Sequence, residues 1–413
     1  MNNTEIASIV GSVINELQKS SPQAFSKSGG YAPSFNNAPA YNAGKGKVKV
    51  AVLGAGHGGL ATAGHIVSRG FPVNIYSPFE KELTPVRERG GIKMEGDVQA
   101  FAKMEDGGIE LLTSSLDEAV RDVDLIFVIM PALAHKTIAS LIGGSLKEGQ
   151  ILVLSPGRTG GALEFRATLN RYAVKTKFIL SEAQTFLYAV ESRGPAHVEI
   201  MKVKNVVKFA ALPAKDTQAA LAVVNKVYPE YKAAANVLET SLNNHGMVVH
   251  PAPMLLNTGL IDLAAKGQDL RYYRDIISPT MCNLVMQGID DEKVAIVKAF
   301  GLKPTSAKQW YKECYDIDGD TLYDVLQNNH YYVGFSAPKH FLAYYHVLDE
   351  VPNSLVPMAE FGRLVGVPTP MMDAIINLGS AMCAVDFSNE GRTLDKLGFP
   401  KIDRDAMLEY VNG

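Results

Sequence analysis

The residue types and spacing that first suggest chemistry are the glycines that follow Leu53. Residues 54–59 read GAGHGG, a G-x-G-x-x-G pattern between an apolar strand pattern and a helix pattern. In such a turn the first glycine makes the bend, the second lets the backbone approach a pyrophosphate, and the third permits close packing of helix on strand. The helix N-terminus then faces the phosphate charge. An ordinary strand-to-helix turn is the alternative, but the context favours binding of an NAD(P) cofactor by Gly54, Gly56, His57, Gly58 and Gly59.

The end of the next predicted strand, VNIYS, bears on which dinucleotide is bound. NAD-selective sites usually place Asp or Glu here to hold the ribose 2′-hydroxyl, whereas this sequence has Ser77. A neutral Ser77 does not repel a 2′-phosphate, and Lys81 follows shortly after it. The pattern therefore favours NADP over NAD. The alternative is that Glu80, or a backbone group, takes the place of the acid.

Alternating strand and helix patterns from Lys47 onward must position this turn. The strand patterns read KVKVAVL, FPVNIYS, DLIFVIMP, ILVLS and KFILS. Strands separated by helices predict a parallel, doubly wound sheet. From about Val206, segments such as TQAALAVVNKVY, EKVAIVKAFG, LYDVLQNN and MMDAIINLGSAM have helical periodicity. We therefore predict an α/β Rossmann domain over residues 47–205 and an all-α domain over residues 206–413.

Two further segments follow predicted strands at the ends where doubly wound sheets bind ligands. Pro131 ends the strand pattern DLIFVIMP and Ala132 follows it, and we expect both to contact the cofactor. Arg158 lies in the glycine-rich PGRTGG that follows ILVLS. It either holds an anionic group of substrate or cofactor or stabilises its loop.

The first 46 residues differ from the rest of the chain. Residues 1–17 carry the stripe of an amphipathic helix, formed by Ile6, Ile9, Val10, Val13, Ile14 and Leu17. Residues 18–46 are rich in Ser, Gly, Pro, Ala and Asn, which predicts a flexible linker. The segment has neither the basic start and continuous apolar run of a secretory signal nor the arginines of a mitochondrial presequence.

Composition excludes several classes of partner. The 413 residues are 47% hydrophobic and 20% charged, which is ordinary for a folded chain of two or three domains. A net charge of −3 provides no basic field for nucleic acid. The three cysteines lie far apart without a metal-binding spacing, which indicates a reducing cytoplasm and no metal site. No apolar run approaches the roughly 20 residues that a membrane span needs.

Several longer segments are more specific than the glycine turn: MPALAH (130–135), SPGRTGGALEF (155–165), SEAQT (181–185), LNNHGMVVHPAPMLLNTG (242–259), RYYRDIISPT (271–280), DEVPNSLVP, GVPTP and EGRTLDKLG. In these segments the sequence resembles the opine dehydrogenase family of octopine and nopaline dehydrogenases, from about Lys47 to Leu397. The resemblance implies a Rossmann domain joined to a helical domain, in a homodimer. It also implies an enzyme that condenses the amine of an amino acid with a 2-keto acid by using NAD(P)H.

The resemblance also implies the catalytic residues. The family's catalytic histidine lies in the segment that matches VVHPAP, which makes it His250, and the acid that orients it precedes Val-Pro, which makes it Glu350. A group that titrates near neutral pH can deliver or take the proton of an imine or ketone that accepts hydride. His245 is a nearby competitor without the His-Pro context, and Asp349 is an alternative acid.

One departure from the family concerns the substrate carboxylate. The family's arginine, five residues before the acid, is matched here by Tyr345, which cannot supply two parallel hydrogen bonds. A protonated His346 is a substitute, and Arg158 and Asn257 are further substrate-binding candidates. The departure favours an alternative reaction, the reduction of a ketone or 2-keto acid to an alcohol. A nucleotide-binding protein without turnover is a third possibility.

Residues 1–17 resemble, in type, the encapsulation peptides of enzymes housed in bacterial microcompartments. The shared features are a short amphipathic helix, small residues and a flexible linker. Such a helix gains order by laying its apolar stripe into a groove on a partner. The resemblance implies a shell protein as partner and a place in the compartment lumen within the cytoplasm. The alternative is a helix that packs on its own protein or mediates dimer contacts.

Overall fold

The computed structural model describes residues 47–105, 107–340 and 345–413, except for the side chain of Tyr345. The predicted helix 1–17 and linker 18–46 lie outside the described residues. The described chain forms two compact units, one of residues 47–156, 161–237 and 412–413, the other of residues 157–160 and 238–411. Among the described residues, no helix combines the length and the apolar character needed to cross a membrane.

The first unit is built on an eight-stranded and a four-stranded sheet. Its strands are β1 (Val50–Leu53), β2 (Val73–Tyr76), β3 (Gly91–Gly96), β4 (Ala100–Lys103), β5 (Ile109–Thr113), β6 (Leu125–Val128), β7 (Ile151–Leu154), β8 (Ile179–Ala183), β9 (Tyr188–Gly194), β10 (His197–Val203), β11 (Val207–Leu212) and β12 (Tyr231–Ala233). The larger sheet has the order β12-β11-β8-β7-β6-β1-β2-β5, and all neighbours from β8 to β5 are parallel. The predicted doubly wound parallel sheet is therefore confirmed.

Six helices belong with these strands: α1 (His57–Ser68), α2 (Glu80–Arg89), α3 (Leu116–Val120), α4 (His135–Ile142), α5 (Gly161–Arg171) and α6 (Thr217–Val227). Strands β1, β6 and β7 are buried at every residue. Such continuous apolar burial is expected of parallel strands that helices cover on both faces. Strands β2 and β5 lie on one side of β1, and strands β6, β7 and β8 lie on the other, so the order of the strands reverses between β1 and β6. Doubly wound sheets bind their ligands at such a switch point.

The first unit extends beyond residue 205, where we predicted its end. Strand β11 pairs antiparallel with β8, and β12 pairs with β11, so the unit continues to Val237. The periodicity of TQAALAVVNKVY correctly predicts α6, but the short strands on either side of it carry too little pattern to be recognised. The four-stranded sheet β4-β3-β10-β9 was not predicted either. Charged residues and glycines in its strands, as in GIKMEG and YAVESRG, weaken their apolar alternation.

The second unit is helical, as predicted. Its helices are α7 (Val237–Leu242), α8 (Gly246–Val249), α9 (Pro251–Leu256), α10 (Thr258–Ala265), α11 (Pro279–Met281), α12 (Gln287–Ala299), α13 (Ala307–Tyr315), α14 (Leu322–Asn328), α15 (Val356–Leu364), α16 (Pro370–Cys383), α17 (Phe387–Glu390) and α18 (Arg404–Asn412). Two π-helical turns, Tyr345–Asp349 and Val351–Leu355, adjoin each other with Glu350 between them. Such turns are rare and occur frequently at functional sites.

Candidate active site

The glycine-rich turn after β1 has the geometry that phosphate binding requires. Gly54 has a φ of 122°, and a Cβ there would lie 2.3 Å from the carbonyl oxygen of Ile129. A Cβ at Gly59 would lie 1.9 Å from the carbonyl oxygen of Gly54. Gly56 faces open space and precedes α1, whose first turn contains no acidic residue. The turn therefore presents the N–H groups of a helix N-terminus to an approaching phosphate, and it fits a dinucleotide.

The other predicted cofactor residues lie in this turn or at the neighbouring strand end. His57 is exposed in the first turn of α1, and a Cβ at Gly58 would lie 3.1 Å from the ring of Phe186. Pro131 and Ala132 follow β6, which pairs with β1. Both groups thus lie at the carboxyl ends of adjacent parallel strands, where a dinucleotide binds in this kind of fold.

Ser77, at the end of β2, is buried and contacts a carboxylate. Its hydroxyl donates a hydrogen bond of 2.7 Å to Oε2 of Glu82 on α2. Glu80, the acid considered from the sequence, is exposed and forms an ion pair with Arg87. Lys81 is also exposed. The negative charge beside Ser77 therefore comes from Glu82, which the sequence reasoning did not consider.

The histidine and the acid identified through the family motifs are in contact. His250 lies between α8 and α9, and its Nδ1 is 2.7 Å from Oε1 of Glu350. The side chain of Glu350 is fully buried, whereas that of His250 is 18% exposed. The hydroxyl of Tyr272 donates to the backbone oxygens of Val249 and His250 at 2.9 and 3.1 Å. Since the carboxylate orients the ring through Nδ1, the nitrogen that can face a substrate is Nε2.

Glu350 is ionised in spite of its burial. Nη1 of Arg158 lies 2.6 Å from Oε1, and the hydroxyl of Ser354 donates to Oε2 at 2.7 Å. Burial by itself raises the pKa of this carboxyl, but Arg158, His250 and Ser354 together lower it to about 2. Asn244 in turn donates to Oγ of Ser354 at 2.9 Å. The site therefore holds a fixed carboxylate against the imidazole at neutral pH.

Arg158 lies in the loop 157–160, which packs with the helical unit although the chain on both sides of it belongs to the first unit. Its backbone is left-handed, with a φ of 57°. Besides its contact with Glu350, its Nε lies 3.7 Å from Oδ2 of Asp349. Buried Arg392 donates to the carbonyl oxygen of Thr159 at 2.9 Å and anchors the loop. The described contacts of Arg158 are thus with the acids of the site, and its binding of a substrate anion stays a prediction.

Gly246 makes room for these contacts. A Cβ there would lie 2.2 Å from Oε1 of Glu350 and 2.4 Å from Nη1 of Arg158. The N–H of Gly246 donates to Oδ1 of Asn244 at 3.0 Å. Because any larger residue would collide with the acid and the guanidinium, only glycine permits this arrangement.

The segment that departs from the family lies next to His250. Tyr345 begins a π-helical turn, and its side chain lies outside the described part of the chain. The ring of His346 is 4.7 Å from that of His250 and 5.0 Å from that of Tyr272. Burial, together with the charges of His250 and Arg158, lowers the pKa of His346 well below its usual range. His346 is therefore neutral at neutral pH, and the proposed attraction of a carboxylate to its charge is not supported.

Two other residues considered from the sequence make packing and backbone contacts. His245 stacks on Trp310 at 4.1 Å between ring centroids and is buried. Asn257, between α9 and α10, donates to the carbonyl oxygen of Ile276 at 2.9 Å. The contact of Asn257 with a substrate stays a prediction.

The sequence reasoning missed three residues of the site: Asn244, Gly246 and Ser354. Ser354 follows Glu350 by one helical turn, and Asn244 and Gly246 precede His250 in the segment NNHGMVVH. Two sequence signals could have pointed to them. One is a hydroxyl residue four positions after the acid, and the other is a glycine close to the histidine. Neither signal is specific until the three-dimensional contacts are known.

Proteins similar to this chain point to the chemistry of the site. Residues 233–383 match the family described as NAD/NADP octopine/nopaline dehydrogenase, alpha-helical domain. An opine dehydrogenase of Arthrobacter sp. (strain 1C) is 38% identical over 348 residues, which cover 84% of this chain and 94% of that protein. The chain belongs to the opine dehydrogenase family. The resemblance stated from the motifs is thereby confirmed.

Similarity to more distant proteins also extends over nearly the whole length of those proteins. Protein ocs of Agrobacterium tumefaciens (strain Ach5) is 24% identical over 377 residues, which cover 88% of this chain and 99% of that protein. A structure of octopine dehydrogenase in complex with NADH and agmatine has a TM-score of 0.69 at 20% identity and covers 88% of this chain and 98% of that chain. As a member of the family, this chain is an NAD(P)-dependent dehydrogenase of the class that acts on CH–NH bonds.

Proposed function

We propose that this enzyme joins an amino acid or amine to a 2-keto acid or another carbonyl compound and reduces the product to a secondary amine. The observation that carries the proposal is the 2.7 Å contact between Nδ1 of His250 and the buried, ionised Glu350. A carboxylate on Nδ1 orients the ring and stabilises its protonated form. Nε2 can then act both as a base and as an acid toward a substrate.

The protons of the proposed reaction pass through His250. The amine nitrogen bonds to the carbonyl carbon, and Nε2 accepts the proton that the nitrogen releases. Nε2 then donates that proton to the former carbonyl oxygen, which becomes a hydroxyl group. A second proton, which His250 takes up from solvent and passes on, lets this hydroxyl group leave as water and the C=N bond form, while Glu350 remains charged throughout. The cofactor, when bound in the glycine-rich turn, supplies the hydride that reduces the carbon of the C=N bond. Amine, carbonyl compound, reduced cofactor and one proton thus give secondary amine, oxidised cofactor and water.

Oxidation of NADH or NADPH by the full chain tests the proposal. We would offer 2-keto acids and aldehydes, each with and without amino acids or simple amines, and expect oxidation only when both partners are present. His250→Asn is expected to abolish turnover and to leave cofactor binding intact, whereas His330→Asn, at an exposed histidine of the same unit, is expected to stay active. An active His250→Asn would refute the assignment. If a carbonyl compound oxidised NADH or NADPH without any amine present, the reaction would instead be the reduction of that compound to an alcohol.

We further propose that the enzyme prefers NAD to NADP. The preference for NADP expected from Ser77 and Lys81 loses its support, because the hydroxyl of Ser77 contacts the carboxylate of Glu82. A carboxylate at this strand end can accept a hydrogen bond from a ribose 2′-hydroxyl, and it repels a 2′-phosphate.

Dissociation constants of NADH and NADPH, measured by nucleotide fluorescence on the full chain, test this preference. We expect NADH to bind about tenfold more tightly or better, which corresponds to about 1.4 kcal/mol. Glu82→Gln should narrow the difference. Glu80→Gln removes an exposed carboxylate from the same helix and should leave the ratio unchanged. Tighter binding of NADPH by the unaltered chain would reverse the proposal.

We also propose that residues 1–17 direct the enzyme into a bacterial microcompartment by binding a shell protein. The support is the apolar stripe of these residues and the polar linker that follows them. In addition, relatives that are matched over 94% and 99% of their lengths account for only 84% and 88% of this chain. Part of the chain therefore has no counterpart in them.

Fusion of residues 1–20 to a fluorescent protein, in cells that assemble shells, tests the targeting. The fusion is expected to co-purify with shells. Ile9→Glu places a charge on the apolar stripe and should release the fusion, whereas Ser8→Glu places the same charge on the opposite face and should not. Diffuse fluorescence of the unaltered fusion, without shell association, would contradict the proposal.

A further inference from the structure

Arg158 and His250 contact the same carboxylate oxygen. Nη1 of Arg158 lies 2.6 Å from Oε1 of Glu350, and Nδ1 of His250 lies 2.7 Å from that atom. The other carboxylate oxygen accepts the hydroxyl hydrogen bond of Ser354. One buried negative charge is therefore shared between a permanent cation and a titratable ring.

This sharing changes the proton affinity expected of the imidazole. A buried carboxylate paired with an imidazole alone strongly favours the protonated ring. A guanidinium on the same oxygen opposes this effect, because it offsets the carboxylate charge and repels an imidazolium. The charge of Arg158 reaches this region of the site, since it is among the groups that lower the pKa of the adjacent His346.

The other titratable groups near the His250 ring do not replace that cation. His346 is neutral at neutral pH, and burial raises the pKa of Tyr272 well above its usual range. Asp349 adds a second carboxylate, 3.7 Å from Nε of Arg158. Among the charged groups described here around the ring, Arg158 is thus the positive one.

We propose that Arg158 is a positioning residue that fixes Glu350 against His250 and keeps the imidazole able both to release and to accept a proton. The proposal rests on the role of His250 in the proposed function. Its geometric support is the anchored, left-handed loop that carries the guanidinium and the space that Gly246 leaves for it. An arginine that binds substrate would exchange its protein carboxylate for a substrate group. A positioning arginine keeps its contact with the protein carboxylate both with and without substrate.

Titration of the histidine NMR signals of the full chain tests the proposal. The chain has nine histidines, and the His250 signal is assigned by its loss in His250→Asn. Arg158→Ala is expected to move the midpoint of the His250 titration upward by about one pH unit or more. Arg158→Lys keeps the charge and should move it much less. Arg363→Ala removes an exposed guanidinium that pairs with Glu360 in the same unit, and it should leave the midpoint unchanged.

The pH profile of kcat provides a second readout, which we expect to move with the NMR midpoint in Arg158→Ala. An unchanged midpoint in Arg158→Ala would overturn the proposal, as would an equal displacement in the alanine and lysine variants. If Arg158→Ala does not fold, Arg158→Gln against Arg158→Lys makes the same comparison. The titration needs no turnover. A midpoint that moves in a chain without amine-forming activity would therefore refute the proposed function and leave the role of Arg158 standing.

Discussion

Replacing Gly246 with alanine inserts a methyl group beside the acid and the guanidinium of the candidate active site. The new Cβ would lie 2.2 Å from Oε1 of Glu350 and 2.4 Å from Nη1 of Arg158, whereas ordinary contact begins at 3.4 Å. One of these groups must therefore move by about 1 Å, which is enough to break a hydrogen bond of ordinary length. The 2.7 Å contact of Glu350 with His250 is the bond at risk.

The expected result is a large loss of activity. A displacement of about 1 Å at a catalytic group can cost on the order of 100-fold in rate, and we expect kcat/KM to fall by about that factor. Separation of the buried acid from its cation should also lower the free energy of unfolding by about 3 kcal/mol. The affinity for NADH should not change, because the substitution does not touch the glycine-rich turn.

Steady-state kinetics, NADH binding and denaturant unfolding of the variant provide the measurement. Gly259→Ala is the matched control, because a Cβ at this exposed position of α10 meets nothing within 4 Å. The control should keep full activity and gain up to about 1 kcal/mol from helix propensity. If Gly246→Ala turned over as fast as the parent chain, the close contact of acid, guanidinium and histidine could not be what supports catalysis.

Glu350→Gln keeps the shape of the acid without its charge. In single-turnover kinetics we expect the rate constant of this variant to fall by about 100-fold or more. Burial and the neighbouring Arg69 lower the pKa of His65 to about 4, below its usual 6.5. As the pH falls, His65 therefore becomes protonated in the unfolded chain before it does so in the folded chain. The free energy of unfolding should therefore fall by about 3 kcal/mol between about pH 6.5 and about pH 4. Denaturant unfolding at a series of pH values measures this dependence, which should be weaker in His65→Gln. Gly59→Ala should lower the melting temperature, because its Cβ meets a backbone oxygen at 1.9 Å, whereas Gly56→Ala should leave it unchanged and weaken only NADH binding. Equal melting temperatures of these two glycine variants would count against the turn geometry.

Much of the fold follows from local sequence patterns. Strands β1, β2, β6, β7 and β8 were predicted because each is a short apolar run next to turn residues, and α6 and α12 because their apolar residues recur at helical spacing. The turn after β1 was predictable as well, since its four glycines fall within six consecutive residues. Strands β11 and β12 were not, because short strands at the end of a sheet are defined by the neighbour they pair with.

The sequence by itself determined which residues are the candidates for the chemistry of the site, but not how they are held. Motifs identified His250 and Glu350, because each lies in a recognisable local segment. Their contact joins residues 100 positions apart, and the guanidinium of Arg158 comes from a third segment, far from both of them in the chain. Only the tertiary structure decided that one carboxylate oxygen serves both the ring and the guanidinium, and that Gly246 leaves them the space. The physical reason is that side-chain contacts between distant segments arise from packing in three dimensions, which no local spacing records.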